Sequence, residues 1–474
     1  MKAKSCVLLI LLVLSIECFL VGRAHGQSTE TPSPVNPAST CTPAPCVLPP
    51  TQASEGGSIV TDSPIANNPI DQKELLLGSF DGNCGSQSFL GFHLSRDGGS
   101  TWQRIKCMDP VITKYRVYRP SDEPSVGYDR NGVAYIAGIY FFGSDRRIYG
   151  LLAVQESTDG ITWSKPVAAL RPPGLGQTYP FETSLAVDRS PGSPWVNAAY
   201  VSGVMRLDQG YKNQVVVSHS TDGGAIWTQA AVDPVQVFPE QDRFTRAAVG
   251  KDGTVFVTWM HCRYSGHDIC GNGIARMMFS KSADRGNTWS PPQRMAAVTM
   301  NWALPNTNPS IRVYNYPVIG VDNSNGPHSG NLYAAMETWT GAYLRVQVTR
   351  STDGGTHWSK PVPLAPASDT HDQFFPAISV SPTGKVGVSW LDRRNDPNNI
   401  DYQAFAAISD DGGRSFGTNW QLTTAFSNPD TTGFYGWMGD YTGNTWAGPD
   451  FIAAWMDSSN GIDMQEVIGG LRLK

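Results

Sequence analysis

The chain has 474 residues, of which 16% are charged, and its formal net charge is -5 at pH 7. This balance gives no electrostatic reason to expect nucleic acid or an anionic membrane as a partner. Glycine and proline are abundant, with 48 and 34 copies, and helical periodicity is nearly absent. The composition therefore favours many short strands joined by turns. An anionic ligand would need a local cluster of arginines.

The first 26 residues have the features of a secretory signal peptide. Lys2 and Lys4 precede an apolar run at 7–21, and Ala24-His25-Gly26 offers small residues for cleavage. No later segment resembles a transmembrane helix. We therefore expect a protein that is secreted, or periplasmic, after cleavage. Residues 27–54 are rich in Ser, Thr and Pro, which predicts a disordered linker before an ordered domain at 55–474.

Six cysteines remain after cleavage, and they lie as near neighbours in sequence: Cys41 with Cys46, Cys84 with Cys107, and Cys262 with Cys270. An even count in an exported chain predicts three local disulfides. A metal site is the alternative, but no Cys-x-x-Cys spacing is present. We expect neither a metal nor a cofactor.

One stretch recurs along the whole ordered domain. Ser95-Arg96-Asp97-Gly98-Gly99-Ser100-Thr101-Trp102 has close copies that begin at Ser157, Ser220, Ser282, Ser351 and Ser409. Ser and Asp side chains bind backbone amides in tight turns, and Gly supplies a positive φ. Each copy therefore predicts a turn between antiparallel strands, followed by an aromatic anchor. The copies begin about 60 residues apart. A regular period of this length is typical of a structural array.

Each period contains four strand-like runs with turn signals between them, which predicts an all-β propeller of four-stranded antiparallel blades. The repeated turn occurs six times, but a further set of three strands follows near the C-terminus, at 440–468. We therefore prefer seven blades, with six as the alternative. The fourth strand of the last blade is expected to come from the N-terminus, at 57–60.

The predicted topology separates two faces. The repeated turns join third to fourth strands and lie on what we call the turn face, while longer polar connections lie on the opposite, loop face. Asp242, Arg243 and Asp372 precede or begin the strands expected nearest the axis, so we favour them for function. Convergent arginines, carboxylates and tyrosines on this face suit an acidic or hydroxylated ligand.

Structural alternatives exist for several of these groups. Asp392-Arg393-Arg394 is equally explained by an ion-paired loop that fixes one blade against the next. His261 and His267 flank two cysteines, and a disulfide-closed loop explains them better than a metal. Trp259, Trp390 and Trp455 occupy equivalent second-strand positions, which favours packing between blades over sugar binding.

The repeated Ser-x-Asp-x-Gly-x-Thr-Trp turn resembles the Asp-box of the sialidase superfamily, whose members are β-propellers with ligand sites opposite the boxes. The resemblance implies an arginine triad for a carboxylate, a tyrosine nucleophile paired with a glutamate, and an aspartate acid/base. The family's Arg-Ile-Pro element is not found before the first box, and the nearest match is Tyr118-Arg119-Pro120. The residues considered for these roles are Arg243, Arg263 and Arg393 as the triad, Tyr435 or Tyr441 as the nucleophile beside Glu182, Glu240 or Glu337, Asp242 or Asp372 as acid/base, and Arg246 and Arg394 as further ligand-binding arginines.

Two functions follow from these patterns. The first is a secreted glycan-directed enzyme, a sialidase-like exo-glycosidase acting on acidic sugars. The second is a non-catalytic extracellular propeller that binds carbohydrate or protein. Converging arginines with a tyrosine-carboxylate pair would favour the enzyme, and ion-paired arginines without such a pair would favour the binding protein. The expected partner is in either case an extracellular glycan or glycoprotein.

Overall fold

A computed structural model describes residues 41–144, 147–172, 178–264, 270, 273–307, 311–432 and 437–474. The predicted signal peptide and the first part of the predicted linker lie outside the described residues. The described chain folds into seven antiparallel sheets of four or five strands, arranged as the blades of a β-propeller. The preferred count of seven blades is therefore confirmed.

The four main strands of each blade follow one another in chain order, except in blade 7, whose outermost strand comes from the N-terminus. We number the blades from the N-terminus. Blade 1 holds β2 (Val60–Thr61), β3 (Ile65–Asn67), β4 (Leu75–Asp81), β5 (Leu90–Ser95) and β6 (Gln103–Cys107). Blade 2 holds β7 (Val111–Ile112), β8 (Val117–Tyr128), β9 (Ala134–Ser144), β10 (Arg147–Ser157) and β11 (Val167–Leu170). Blade 3 holds β12 (Tyr179–Val187), β13 (Ala199–Leu207), β14 (Lys212–Ser220), β15 (Thr228–Ala231) and β16 (Gln236–Val237).

The remaining blades have four strands each. Blade 4 holds β17 (Glu240–Val249), β18 (Val255–Arg263), β19 (Ile274–Ser282) and β20 (Gln293–Thr299). Blade 5 holds β21 (Val318–Val321), β22 (Leu332–Trp339), β23 (Leu344–Ser351) and β24 (Val362–Pro363). Blade 6 holds β25 (Gln373–Val380), β26 (Val386–Asp392), β27 (Gln403–Ser409) and β28 (Trp420–Gln421). Blade 7 holds β29 (Gly443–Ala447), β30 (Asp450–Asp457), β31 (Gln465–Arg472) and, from the N-terminus, β1 (Cys46–Gln52). Three short 3₁₀ helices lie between strands, at Gly82–Cys84, Asp208–Gly210 and Pro429–Thr432.

The ring is closed by the N-terminus, but not by the segment expected from sequence. β1 pairs with β31, from Cys46 opposite Arg472 to Gln52 opposite Val467. Residues 57–60 do not fill this place, because Val60–Thr61 pairs with β4 as part of blade 1. The ordered fold therefore extends upstream of the boundary expected at residue 55. Pro49 and Pro50 fit an edge strand, where a missing backbone donor is tolerated.

The closing strand gives a direct test of ring closure. In a chain that begins at Ala53, β31 becomes an unpaired edge, and Ile468 and Leu471 lose their cover. We expect a loss of roughly 3 kcal/mol in the free energy of unfolding, since each lost ladder hydrogen bond contributes about 1 kcal/mol. Urea denaturation would measure it. A chain that begins at Cys41 is the control, and equal midpoints for the two chains would contradict closure by β1.

The repeated turn is built by its own side chains, as the sequence predicts. In the first copy the Ser95 Oγ accepts the Gly99 amide at 2.8 Å, and the Asp97 Oδ1 accepts the Thr101 amide at 2.8 Å. The Trp102 Nε1 donates to the Gly99 carbonyl at 3.0 Å, and the half-buried ring packs on the core between blades 7 and 1. Gly99 has a φ of 93°, which few other residues adopt without strain. All six copies join the third strand of a blade to the fourth.

A second repeated feature lies on the innermost strands. Five blades carry a bulge whose first residue has a left-handed φ between 50° and 63°: Asp62, Glu123, Glu182, Phe244 and Phe375. In blades 2, 3, 4 and 6 the pairing register with the second strand shifts at this point. A left-handed conformation is costly for a residue other than glycine and persists only where the surroundings hold it. These bulges aim side chains at neighbouring blades and at the axis.

The predicted disulfides and inter-blade packing are both present. Cys41–Cys46, Cys84–Cys107 and Cys262–Cys270 are bonded. Trp259, Trp390 and Trp455 are buried in the apolar layers between blades, each with its indole nitrogen bonded to an aspartate. Within the described ranges, no helix has the length and apolar character needed to cross a membrane.

Candidate functional site

The loop face at the propeller axis brings together charged and aromatic side chains from five blades. We call this group the axial cluster, and its members are Asp62, Asp122, Arg246, Arg312, Tyr316, Trp437, Asp440 and Tyr441. They lie on the innermost strands or on the links that lead into them. Four of the members are buried acids or tyrosines contributed by blades 1, 2 and 7. The cluster therefore depends on the closure of the whole ring.

Asp440 and Arg312 form the central ion pair of the axial cluster. The Arg312 Nε and Nη2 donate to the two carboxylate oxygens of Asp440 at 3.2 and 2.8 Å. The side chains are 15% and 10% exposed, so the pair is largely shielded from solvent. The half-buried Trp437 ring lies against Arg312, and its Nε1 donates to Asp440 at 3.3 Å. A bidentate pair of this kind fixes the orientation of the carboxylate.

Two further aspartates lie close to this pair. Burial, together with the charge of Asp440, raises the pKa of Asp122 to about 7, although Arg312 opposes the shift. Burial also raises the pKa of Asp62 well above its usual value, and the charges of Asp440 and Asp122 add to this effect. The Asp62 Oδ1 accepts the Asp440 amide at 2.6 Å, which joins blade 1 to blade 7. Asp122 is only 9% exposed, and this burial is the main cause of its raised pKa.

Arg246 lies between two tyrosine rings beside these acids. Its guanidinium is 4.8 Å from the ring centres of both Tyr316 and Tyr441. It donates to the Tyr316 hydroxyl at 3.1 Å and to the Thr245 carbonyl at 2.9 Å. Both tyrosine hydroxyls are themselves bonded to backbone carbonyls, Tyr441 to that of Pro124 at 2.7 Å. Arg246 is thus held by both tyrosines, and the acid that interacts with its charge is Glu123.

Glu182 and Arg243 clamp adjacent blades together. The Glu182 carboxylate accepts hydrogen bonds from the Arg243 guanidinium and, at 2.8 Å, from the Phe244 amide in the next bulge. Glu123 accepts the amides of Glu182 and Thr183 in the same way. Glu337 repeats the arrangement by accepting the Phe375 amide at 3.0 Å. These buried glutamates therefore satisfy the strained bulges of the neighbouring blades.

Asp242 belongs to a separate cluster at the loop-face end of blade 4. Its Oδ1 accepts the Trp259 Nε1 at 3.0 Å and lies 2.9 Å from the His261 Nδ1. Burial raises the pKa of Asp242 to about 6, and burial with the charge of Asp242 raises that of Asp233 to about 8. The His261 Nε2 lies 3.4 Å from Glu240, whose carboxylate also accepts the Arg263 guanidinium at 2.7 Å. Asp242 is fully buried, so a ligand would meet His261 and Glu240 first.

Asp372 and Arg393 form a buried pair in blade 6. The Arg393 Nη1 lies 3.3 Å from the Asp372 Oδ2 and donates to the carbonyls of Pro305 at 2.7 Å and Asn399 at 2.9 Å. Arg394 pairs with Asp392 and stacks 4.5 Å from the Phe405 ring centre. These contacts match the alternative of an ion-paired loop.

The residues selected from sequence thus lie in different parts of the structure rather than in one site. Arg246 and Tyr441 lie together in the axial cluster, Glu182 pairs with Arg243, and Asp372 pairs with Arg393. Arg263, with its side chain 70% exposed, lies at the rim of blade 4, and Tyr435 lies outside the described residues. The hydroxyl of Tyr441 is bonded to a backbone carbonyl rather than to a glutamate.

Several axial residues were not selected from sequence. Asp122 and Asp440 fall in loop-face segments that the strand pattern places correctly, but nothing in the pattern ranks them above other acids. Arg312 lies in the long link before β21, where no strand periodicity gives its position. Asp62 directly follows β2 in blade 1, next to the segment 57–60 that was expected to close blade 7. The sequence signal shared by the bulge residues Glu123 and Glu182 is an acid directly before Pro or Thr on an innermost strand. No such signal marks Arg312.

Within the described parts of the chain, no group of three or more His, Cys, Asp or Glu side chains has an arrangement suited to a metal ion. The three aspartates of the axial cluster are instead stabilised by Arg312 and by backbone amides.

Known proteins resemble this chain in three-dimensional structure but not in sequence family. No protein-family model matches the chain, and no curated protein sequence matches it. Similar solved structures include a Hadza microbial sialidase, with 14% identity, a TM-score of 0.45, and coverage of 82% of this chain and 74% of the sialidase. An α-L-arabinofuranosidase from Fusarium graminearum has 10% identity, a TM-score of 0.48, and coverage of 90% and 98%. An ulvan lyase of a new polysaccharide lyase family has 13% identity, a TM-score of 0.49, and coverage of 87% and 95%.

Proposed function

We propose that the protein is a glycan-directed hydrolase whose reaction takes place at the axial cluster. The observation that carries this proposal is the pair of neighbouring carboxyl groups in contrasting surroundings. Asp122 is buried with a pKa raised to about 7, while Asp440 is fixed in a bidentate pair with Arg312. Glycoside hydrolysis requires one carboxylic acid that donates a proton and one carboxylate that acts as base or nucleophile.

Asp122 has the properties of the general acid. At neutral pH a large fraction of its side chain is protonated, so it can transfer a proton to the glycosidic oxygen as the bond to the leaving sugar breaks. Asp440 then supplies negative charge to the oxocarbenium-like sugar, either directly or through a water molecule. The water provides the hydroxyl of one product and restores the proton of Asp122. The proton count of the protein is unchanged over the cycle.

The surrounding residues position a sugar rather than react with it. Trp437 presents a half-buried aromatic ring beside the ion pair, a surface on which a pyranose or furanose can pack. Arg246 adds a positive charge to the axial cluster and is fixed between two tyrosine rings. This charge suits a substrate with a carboxylate, but the hydrolytic roles of Asp122 and Asp440 do not require one.

A hydrolysis screen tests the proposal. The mature protein is incubated with sialosides, arabinofuranosides and uronic-acid oligosaccharides, and the release of new reducing ends is measured. We expect turnover of one of these classes, with an optimum below pH 7. The stereochemistry of the first product, read by NMR, distinguishes direct attack by Asp440 from attack by water. Binding of glycans without turnover of any class would overturn the hydrolase proposal.

A non-catalytic glycan-binding propeller is the second candidate. It is favoured by the pairing of Arg243, Arg263, Arg393 and Arg394 with carboxylates inside the protein, and by the bond of Tyr441 to a backbone carbonyl. These pairings argue against the arginine triad and tyrosine-glutamate pair of sialidases. None of these pairings involves Asp122, so they do not affect its proposed role as general acid. We therefore rank hydrolysis by two carboxyl groups above binding alone.

A further inference from the structure

A hairpin projects from blade 2 on the loop face. We call residues 111–119 the basic hairpin, in which β7 pairs with the start of β8 through Val111 opposite Tyr118. The turn is closed by two hydrogen bonds, from the Thr113 amide to the Arg116 carbonyl at 2.8 Å and from the Arg116 amide to the Thr113 Oγ1 at 2.9 Å. The hairpin therefore presents its side chains from a defined backbone rather than from a loose loop.

The side chains of this hairpin are basic and aromatic. Lys114, Arg116 and Arg119 lie within six residues, and no Asp or Glu occurs between 110 and 121. Tyr115, at the tip, is 80% exposed, and the Lys114 Nζ lies 5.1 Å from the centre of its ring. An exposed aromatic ring beside cations offers an apolar face together with positive charge, a combination that suits a sugar ring carrying an anionic group.

Arg116 of the hairpin lies against two aromatic rings. Its guanidinium lies 4.6 Å from the ring centre of Tyr149 and 5.4 Å from that of Phe142. Stacking orients the plane of the guanidinium, and its Nη1 donates to the Tyr118 hydroxyl at 3.5 Å. The edge of a guanidinium held in this way is the geometry that binds carboxylate or sulfate oxygens. Within the described residues, none of Lys114, Arg116 and Arg119 has a carboxylate within 4.0 Å. This differs from Arg243, Arg312 and Arg393, whose charges are compensated internally.

The basic hairpin is physically continuous with the axial cluster. β8 runs from Val117 in the hairpin to Tyr128, and Asp122 lies on the same strand. Six residues separate Arg116 from Asp122, which corresponds to roughly 20 Å of extended strand at about 3.3 Å per residue. A single sugar cannot span this distance, but an oligosaccharide of several units can. β9 and β10, with 11 residues each, support the hairpin from behind as a wall beside the axis.

We propose that the basic hairpin is a distal subsite for an acidic polysaccharide, and that Arg116 and Lys114 bind carboxylate or sulfate groups of a chain whose other end occupies the axial cluster. This rests on the proposed function for the position of the reacting sugar, but the hairpin's affinity for the anionic chain does not depend on catalysis. The substrate class is thus a polyanionic glycan rather than a neutral one or a short terminal sugar.

Binding measurements test this subsite. The mature protein is titrated with polygalacturonate as the carboxylated probe, dextran sulfate as the sulfated probe, dextran as the neutral probe and duplex DNA as a non-glycan polyanion. We expect binding of one or both anionic glycans and none of dextran. The double variant Lys114→Gln/Arg116→Gln should bind at least about tenfold more weakly, because two charge-assisted contacts are lost. Arg414→Gln, an exposed arginine on the turn face, is the matched control and should bind as the unaltered protein does.

Comparison of long and short substrates separates the subsite from the catalytic centre. The hairpin double variant should lower kcat/KM on an acidic polysaccharide and leave that on the corresponding short glycoside unchanged. Equal polysaccharide binding by the double variant and the unaltered protein would overturn the subsite, as would equally tight binding of DNA. If no glycoside is hydrolysed while anionic glycan binding still depends on Lys114 and Arg116, the hydrolase proposal fails and the subsite stands.

Discussion

Replacement of Asp122 by Asn is expected to reduce glycoside hydrolysis by about 10² to 10⁴-fold, the usual contribution of a general acid. The amide cannot donate a carboxylic proton but has the same size, and its nitrogen can approach Asp440 without charge repulsion. The fold should therefore remain intact, which circular dichroism and the unfolding midpoint would check. Hydrolysis rates on the best substrate of the screen measure the effect.

The pH dependence should identify Asp122 as the proton donor. Because the active form carries the proton, kcat/KM should fall as the pH rises through about 7, the raised pKa of this carboxyl group. Substrates with a good leaving group, which need no proton, should be hydrolysed by Asp122→Asn far better than natural glycosides. Asp71→Asn, at an exposed carboxylate of the turn face, serves as the control. An unchanged alkaline limb in Asp122→Asn would show that another group donates the proton.

Replacement of Glu182 by Ala is expected to destabilise the fold by about 3 to 5 kcal/mol, the typical effect of leaving one buried ionic partner alone. Arg243 would lose its carboxylate, and the amide of Phe244 would lose its acceptor in a bulge of left-handed φ. Urea denaturation measures the loss. Glu55→Ala, which breaks the Arg104–Glu55 pair at a glutamate side chain that is 57% exposed, is the control and should cost at most about 1 kcal/mol.

The conservative variant Glu182→Gln distinguishes a clamp from a catalytic group. The glutamine can still accept the Phe244 amide, so the loss of stability should be smaller than in Glu182→Ala. Hydrolysis per folded molecule should be retained, because Glu182 contacts neither Asp122 nor Asp440 in the structure. A variant that folds normally but does not turn over substrate would instead place Glu182 in the reaction.

The sequence predicted the features that repeat. The Ser-x-Asp turns, the four-strand blades and the three disulfides all depend on residues that are close in sequence. The residues that make their local hydrogen bonds recur at fixed spacings, so these features can be recognised in the sequence itself. The closing strand was misassigned because Cys46–Gln52 contains Pro49 and Pro50, which are typical of a linker, and only pairing with β31 reveals it as an edge strand.

The site was predicted less well, because it is assembled from positions that do not repeat. The sequence placed it on the loop face and selected Arg246 and Tyr441, which do lie at the axis. The contact between Asp62 and Asp440 joins residues 378 positions apart, and no local pattern reports such a distance. Glu182, Arg243 and Arg393 were selected for their charge, and their charges are in fact compensated between or within blades. A buried ion pair and a ligand-binding arginine look the same in a sequence.

The bulges of the innermost strands have a consequence for how such a site changes over time. Five blades hold the same left-handed position with an Asp, two Glu and two Phe residues. The same backbone position thus accommodates acidic and aromatic side chains in five blades that share one strand path. Its side chain decides which contact is made with the next blade: the two glutamates accept backbone amides there. A substitution at such a position therefore changes the joint between two blades, at the stability cost expected for Glu182→Ala, rather than the fold of one blade.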